Sequence, residues 1–202
     1  LMAQKASNYK IPFIHFSTDY IFDGEKKDPY IEADPPNPLN VYGQSKLAGE
    51  KGIQVIGGQF YIFRTSWVYS NKGKNFYLSV KKKIEDNKEF SVVSDQFGVP
   101  TSSLFIAQKL HRIINKLNPD NKGIYHLVPN GSCSWFDFAK LIAKKINPNF
   151  NLNKLIPIST FDYSSKIVRP RNSVLNNQEV QSTFMIEFES WEFELDQIIN
   201  GT

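Results

Sequence analysis

Tyr42 and Lys46 stand four residues apart in the stretch NVYGQSKLAGEKGIQVI. If that stretch is helical, both side chains project from one face. A tyrosine phenol titrates at about 10 and does little acid–base work at neutral pH unless a cation stands close. A lysine one turn away supplies that cation, and the pair becomes an acid able to hand a proton to a carbonyl oxygen. Upstream, the apolar run FIHF leads straight into Ser17, Thr18 and Asp19. Hydroxyls and a carboxylate at the carboxyl end of a strand sit where α/β enzymes bind their ligands. One loop separates the two groups, so the Thr18 hydroxyl and the Tyr–Lys pair can converge at one sheet edge. A Tyr-x-x-x-Lys spacing also arises by chance on many helices, and its weight comes from this context.

The elements that must position these groups alternate between strand and helix signals, the α/β pattern. IPFIHF reads as a short buried strand, and the proline-rich KDPYIEADPPNPLN as a surface loop. The helix of residues 40–56 has Pro38 just ahead of it and Gly57-Gly58 closing it. FYIFRTSWVYS reads as a second buried strand, and NFYLSVKKKIEDN as an amphipathic helix with Phe76, Val80 and Ile84 on one face. FSVVSDQFGVPTS is a strand followed by a Gly/Pro turn, SLFIAQKLHRIINKL another amphipathic helix, and GIYHLV another strand. SWFDFAKLIAKKI is a helix capped by Ser134 with Asp137 in its first turn. LIPISTFDYSSKIVRPRNSVLNN reads as loop-rich, and a short acidic-aromatic helix around Trp191 ends the chain. The first dozen residues read as the last turns of a crossover helix.

Composition bounds the function. At 202 residues, 41% hydrophobic and 14% aromatic, the chain can build one domain or two small ones. The net charge of +4 suits an anionic ligand, but the lysines are scattered among acids, which argues against a nucleic-acid stripe. Cys133 is the only cysteine, so neither an intrachain disulfide nor a multi-thiolate metal site can form. This fits a reducing, cytoplasmic setting, and Cys133 reads as a bystander. His15, His111 and His126 are widely spaced and read as packing residues, with no metal site expected. No apolar run reaches a membrane span and no signal peptide is visible.

Six motifs carry a resemblance. STDYIFDG, PLNVYGQSKLAGEK, FRTSWVYS, the pair NF, SDQFGVPTS and RPRNSVL occur in this order over nearly the whole chain. Together they resemble the extended short-chain dehydrogenase/reductase family, in its branch that reduces keto-sugars carried on dTDP. The resemblance implies NADPH-dependent reduction, with NADH as the alternative cofactor, of the 4-keto group of dTDP-4-dehydro-L-rhamnose to dTDP-L-rhamnose for polysaccharide. It implies Thr18 as the hydroxyl on the substrate carbonyl, Tyr42 as proton donor, and Lys46 as the holder of the nicotinamide ribose. It implies Phe16 on the cofactor side, and Asp19 and Trp67 against the dTDP-sugar. Asn75, Gln96 and Arg169 match positions toward the diphosphate or nucleotide. For Trp67 a core aromatic is the competing reading, and for Arg169 a surface salt bridge.

One local difference separates reduction from elimination. The related sugar-nucleotide dehydratases carry Thr-Asp-Glu where this chain has Thr18, Asp19 and Tyr20. Tyr20 is a poor substitute for that glutamate base, so loss of water is disfavoured. One departure from the family is larger: no G-x-x-G-x-x-G turn occurs in the sequence. In this fold that turn seats the cofactor diphosphate on a helix N-terminus. The expectation is therefore a carboxyl-terminal portion, a Rossmann-like parallel sheet lacking its amino-terminal strands plus a smaller substrate-binding domain. Residues 1–70 would carry the catalytic Thr, Tyr and Lys. Residues 71–202 would be mainly substrate-binding, with about 102–128 returning to the first domain. A dTDP-sugar is the expected partner, with no nucleic acid polymer, no membrane, and a homodimer as the assembly to consider. The alternatives are a reductase of another keto-sugar nucleotide, or a non-catalytic subunit resembling the beta subunit of methionine adenosyltransferase.

Overall fold

The computed structural model describes residues 1–163, 165 and 167–201. A short helix α1 (Met2–Asn8) precedes strand β1 (Phe13–Thr18), and helix α2 (Val41–Ile56) carries the chain across to β2 (Phe60–Thr65). After β3 (Val68–Tyr69) come α3 (Phe76–Glu85), β4 (Phe90–Val93), β5 (Phe97–Gly98), β6 (Thr101–Ser102) and α4 (Ser103–Ile114). The remainder comprises β7 (Gly123–His126), β8 (Cys133–Ser134), α5 (Trp135–Ile146), β9 (Leu155–Ile158), α6 (Gln178–Phe184) and α7 (Trp191–Asn200). No helix of the described residues is long and apolar enough to cross a membrane.

Strands β1, β2 and β7 form a parallel sheet with β2 in the middle. Parallel strands covered on both faces read as continuous apolar runs, and β2 is buried from Tyr61 to its end. Side chains alternate across the sheet. Tyr61 and Phe63 pack with Phe105 and Ile113 of α4 and Phe184 of α6, while Ile62 packs with Ala3 of α1 and Ile53 of α2. The register pairs Thr18 with Thr65, so β1 and β2 end level and open onto the same edge. A second core, around Phe138 and Trp191, joins α3, α5 and α7 to the parallel pair β4–β9.

Three expectations change. The stretch of residues 60–70 is not one strand: it breaks after Thr65, and Trp67 adopts a left-handed φ of 45°. That break lets β3 leave the main sheet and pair with β6. Residues 155–158 lie in the stretch read as loop-rich, yet they form β9, because their hydrogen-bonding partners in β4 are far away in sequence. His111 does not pack: it lies on the exposed face of α4. His126 is buried, and burial first and the Arg64 charge second hold it neutral, with its pKa lowered to about 3.

Candidate active site

β1 ends by delivering Thr18 as the N-cap of a single 3-10 turn, residues 19–21. The Thr18 hydroxyl donates to Asp19 Oδ1 at 3.0 Å and accepts the Tyr20 N–H at 3.2 Å. Thr18 and Asp19 are both buried. Burial raises the Asp19 carboxyl to about 6, against the opposing pull of the nearby Ser173 and Thr18 hydroxyls.

A carboxyl whose folded pKa exceeds its unfolded value of 3.8 holds its proton more tightly when folded. Its stability contribution is therefore greatest at low pH and is lost as pH rises through about 6. Asp19→Asn keeps an acceptor for Thr18 and removes the charge. It should raise stability at pH 7.5 by on the order of 2 kcal/mol, or about 4–8 °C in a chain of this size. At pH 4 the gain should vanish. Thermal melting at both values checks this, and equal gains at the two would exclude the charge as the cause.

α2 approaches the same turn through Asn40, whose side chain accepts the Gly43 N–H at 2.9 Å. Gly43 makes the approach close: a Cβ there would lie 2.1 Å from the Tyr20 carbonyl oxygen and 2.9 Å from Pro38 Cβ. The Tyr42 ring then meets the Tyr20 ring edge-on, 6.0 Å apart and at 81°. One turn later the Lys46 ammonium donates to the Phe16 main-chain carbonyl of β1. Tyr42 is 54% exposed and Phe16 37%, so the face that these residues share with Lys46 is open.

Beyond Tyr20 lies a cavity of about 410 Å³, lined among others by Gln96, Arg169, Lys83, Phe76 and Trp135. Trp67 stacks on Trp135 with ring centroids 3.5 Å apart and nearly parallel planes. Gly98 takes the other side of its indole, since a Cβ there would come within 2.4 Å of the ring. Gln96 is buried and donates to Thr160 Oγ1 at 3.1 Å. Arg169 makes no ion pair among the described residues. It stands near the Tyr20 phenol, whose pKa it pulls down against the larger upward effect of burial, and its guanidinium lies 5.8 Å from the centre of the Tyr163 ring. The RPRNSVL segment is held there by main-chain bonds from Phe97 N–H to Arg171 O and from Ser173 N–H to Phe97 O.

Five of the residues read from sequence, Phe16, Thr18, Asp19, Tyr42 and Lys46, thus meet at the carboxyl end of β1. Gln96 and Arg169 line the adjoining cavity, and Trp67 reaches it through Trp135. Asn75 is engaged differently: its side chain caps α3, accepting the Leu78 N–H and donating to the Ser70 and Lys72 carbonyls. Sequence reasoning passed over Gly43, Gly98 and Trp135. A glycine inside a helical pattern is the one available signal, since it marks a close packing contact.

The sequence model of the RmlD substrate binding domain matches residues 1–202. The chain is 40% identical over 204 residues to a dTDP-4-dehydrorhamnose reductase of Escherichia coli strain K12, covering 98% of this chain and 68% of that protein. The crystal structure of the Bacillus anthracis dTDP-4-dehydrorhamnose reductase in complex with NADP superposes with a TM-score of 0.91 at 32% identity, covering 99% of this chain and 69% of that one. The dTDP-4-dehydrorhamnose reductase of Clostridium acetobutylicum gives 0.89 at 34% identity, covering 98% and 69%. The chain thus spans 68–69% of the length of these relatives.

Proposed function

The chain belongs to the RmlD substrate binding domain family, and we propose that it carries the reducing centre of an NADPH-dependent dTDP-4-dehydrorhamnose reductase. The observation that carries this reading is the α2 face on which Tyr42 stands one turn from Lys46, docked against the end of β1 beside Thr18. Tyr42 hands its phenolic proton to the sugar's keto oxygen. The Lys46 ammonium supports the negative charge left on the phenol. Thr18 offers its hydroxyl to the same keto oxygen and exchanges its bond to Asp19 for one to substrate. A group positioned this way acts without reorganising at the moment of reaction.

The residues present fit the nicotinamide-ribose end of a nucleotide cofactor. Lys46 offers an ammonium to ribose hydroxyls, and the exposed Phe16 ring offers a flat apolar face. When bound, NADPH supplies the hydride. For the dTDP-sugar, Asp19 stands at the sugar end and Gln96 and Arg169 serve the diphosphate and nucleotide end, while Trp67 backs the cavity through Trp135 and Asn75 shapes it by capping α3. Arg169 and Lys83 give the cavity the positive charge that a diphosphate needs. Residues 1–70 with about 102–128 form the cofactor side, a division favoured by the pairing of β7 with β2. The rest of 71–202 forms the substrate side.

The 202 residues alone, without a glycine-rich turn, are expected to hold NADPH weakly. The test is therefore consumption of NADPH, followed by absorbance, with dTDP-4-dehydro-L-rhamnose and a form of the protein that also carries such a turn. Turnover on the order of 1–100 per second is expected, with slower reaction when NADH or a UDP-linked keto-sugar is substituted. Absence of NADPH oxidation with every dTDP-keto-sugar offered would sink the assignment and favour a regulatory subunit.

A further inference from the structure

The face of α2 that carries Tyr42 and Lys46 continues, four residues on, to Glu50, which is fully buried. A carboxylate this deep must be paired. Both its oxygens are taken by Arg64 of β2: Nε donates to Oε1 at 3.1 Å and Nη2 to Oε2 at 2.8 Å. Arg64 is itself buried. Its Nη1 donates to the Glu32 carbonyl at 3.3 Å, and its guanidinium lies 5.4 Å from the centre of the Phe22 ring. Arg64 therefore ties together α2, the loop after β1 and the central strand. These are the elements that bring Tyr42, Lys46 and Thr18 to one edge.

We propose that Arg64 is a positioning residue that occupies Glu50 and so keeps Lys46 available to Phe16 and Tyr42. The reason is competition. Lysine and glutamate four apart on a helix are natural partners, and a buried carboxylate robbed of its cation draws the nearest other one. With Arg64 present, Glu50 is saturated and the Lys46 ammonium rests on the Phe16 carbonyl. Without Arg64, Lys46 is the cation within one helical turn. The other titratable groups nearby offer no substitute. His15, on β1, feels an upward pull from Glu50, but burial first and Lys46 second outweigh it and hold the imidazole below its ordinary value. His126, on β7, is buried and neutral. Glu32 is a further acid, its carboxylate accepting the His126 N–H at 2.8 Å.

The inference rests on the Tyr42–Lys46 reading above, and the experiment separates the two. Arg64→Met should lower kcat by at least about tenfold, within the range of coupling between contacting residues, while the KM for the dTDP-sugar stays within about twofold. Glu50→Gln in the same chain should restore kcat to within about threefold of wild type, because the competing charge is gone. A purely structural ion pair predicts a loss of melting temperature that Glu50→Gln also relieves, with kcat of the folded protein unchanged in both variants. If Arg64→Met does not fold, Arg64→Lys carries the test. Its single ammonium cannot span both oxygens, so kcat should fall and Glu50→Gln should restore it. An undiminished kcat, or a loss that Glu50→Gln leaves in place, overturns the proposal. Lys46→Met is assayed alongside. If it keeps full turnover, the reading of the site fails; if it is inactive while Arg64→Met is not, only the role of Arg64 does.

Discussion

Tyr42→Phe is expected to lower kcat by about two to four powers of ten, the usual worth of a general acid, with the KM for the dTDP-sugar little changed. The substitution removes one oxygen and nothing else. The ring's edge contact with Tyr20 survives, and a residue 54% exposed contributes little to the core, so melting should stay within about 0.5 kcal/mol of wild type. The three groups near the reacting oxygen are not equivalent donors. The Thr18 hydroxyl is already committed to Asp19, and Lys46 to a main-chain carbonyl. Tyr42, 54% exposed, is the one of the three whose side-chain polar group is in neither of these bonds. Steady-state kinetics with both substrates saturating decides the matter. Wild-type kcat in the variant would remove Tyr42 from the chemistry and pass the proton to Thr18 or to solvent. A raised KM with unchanged kcat would make Tyr42 a binding group only.

The chemistry of this edge was legible in the sequence because it is local. A four-residue spacing on a helix and a strand running into Thr18 need no knowledge of distant contacts. What was hidden depends on partners far along the chain. β9 could not be seen because isoleucines, a leucine and a proline become a strand only against β4, some sixty residues earlier. The break at Trp67 was hidden for the same reason. A run of aromatic and β-branched residues favours continued strand, but the indole is held between Gly98 and Trp135, and that sandwich turns the backbone aside. Glu50 is the sharpest case. By composition it belongs to a solvated helix face, and only the arrival of Arg64 from β2 makes burial affordable. Charges are buried when paired, and pairing is a tertiary fact.

Gly43→Ala should cost catalysis far more than it costs stability, although helix propensity alone argues for a gain. In an isolated helix the change is worth about 1 kcal/mol in favour of alanine. Here the new methyl would lie 2.1 Å from the Tyr20 carbonyl oxygen, well inside contact distance. That neighbour is backbone, so no side chain can swing aside. The first turn of α2 or the turn after β1 must move instead, and overpacking of this kind costs about 1–3 kcal/mol. The net loss is then at most about 2 kcal/mol, a fall of roughly 4–8 °C in melting temperature. The displacement matters more than the energy. Gly43 adjoins Tyr42 and abuts Tyr20, so the shift separates the proton donor from the Thr18 edge, and a misplacement of about 1 Å can cost about a hundredfold in rate. Gly52 supplies the control within the same helix, because it is exposed and nothing lies within 4 Å of where its Cβ would be. Gly52→Ala should gain up to about 1 kcal/mol with kcat unchanged. Kinetics and melting of both variants, measured side by side, give the answer. If Gly43→Ala behaves like Gly52→Ala, more stable and fully active, then α2 does not depend on a glycine to reach the end of β1, and the position of Tyr42 must be set from elsewhere.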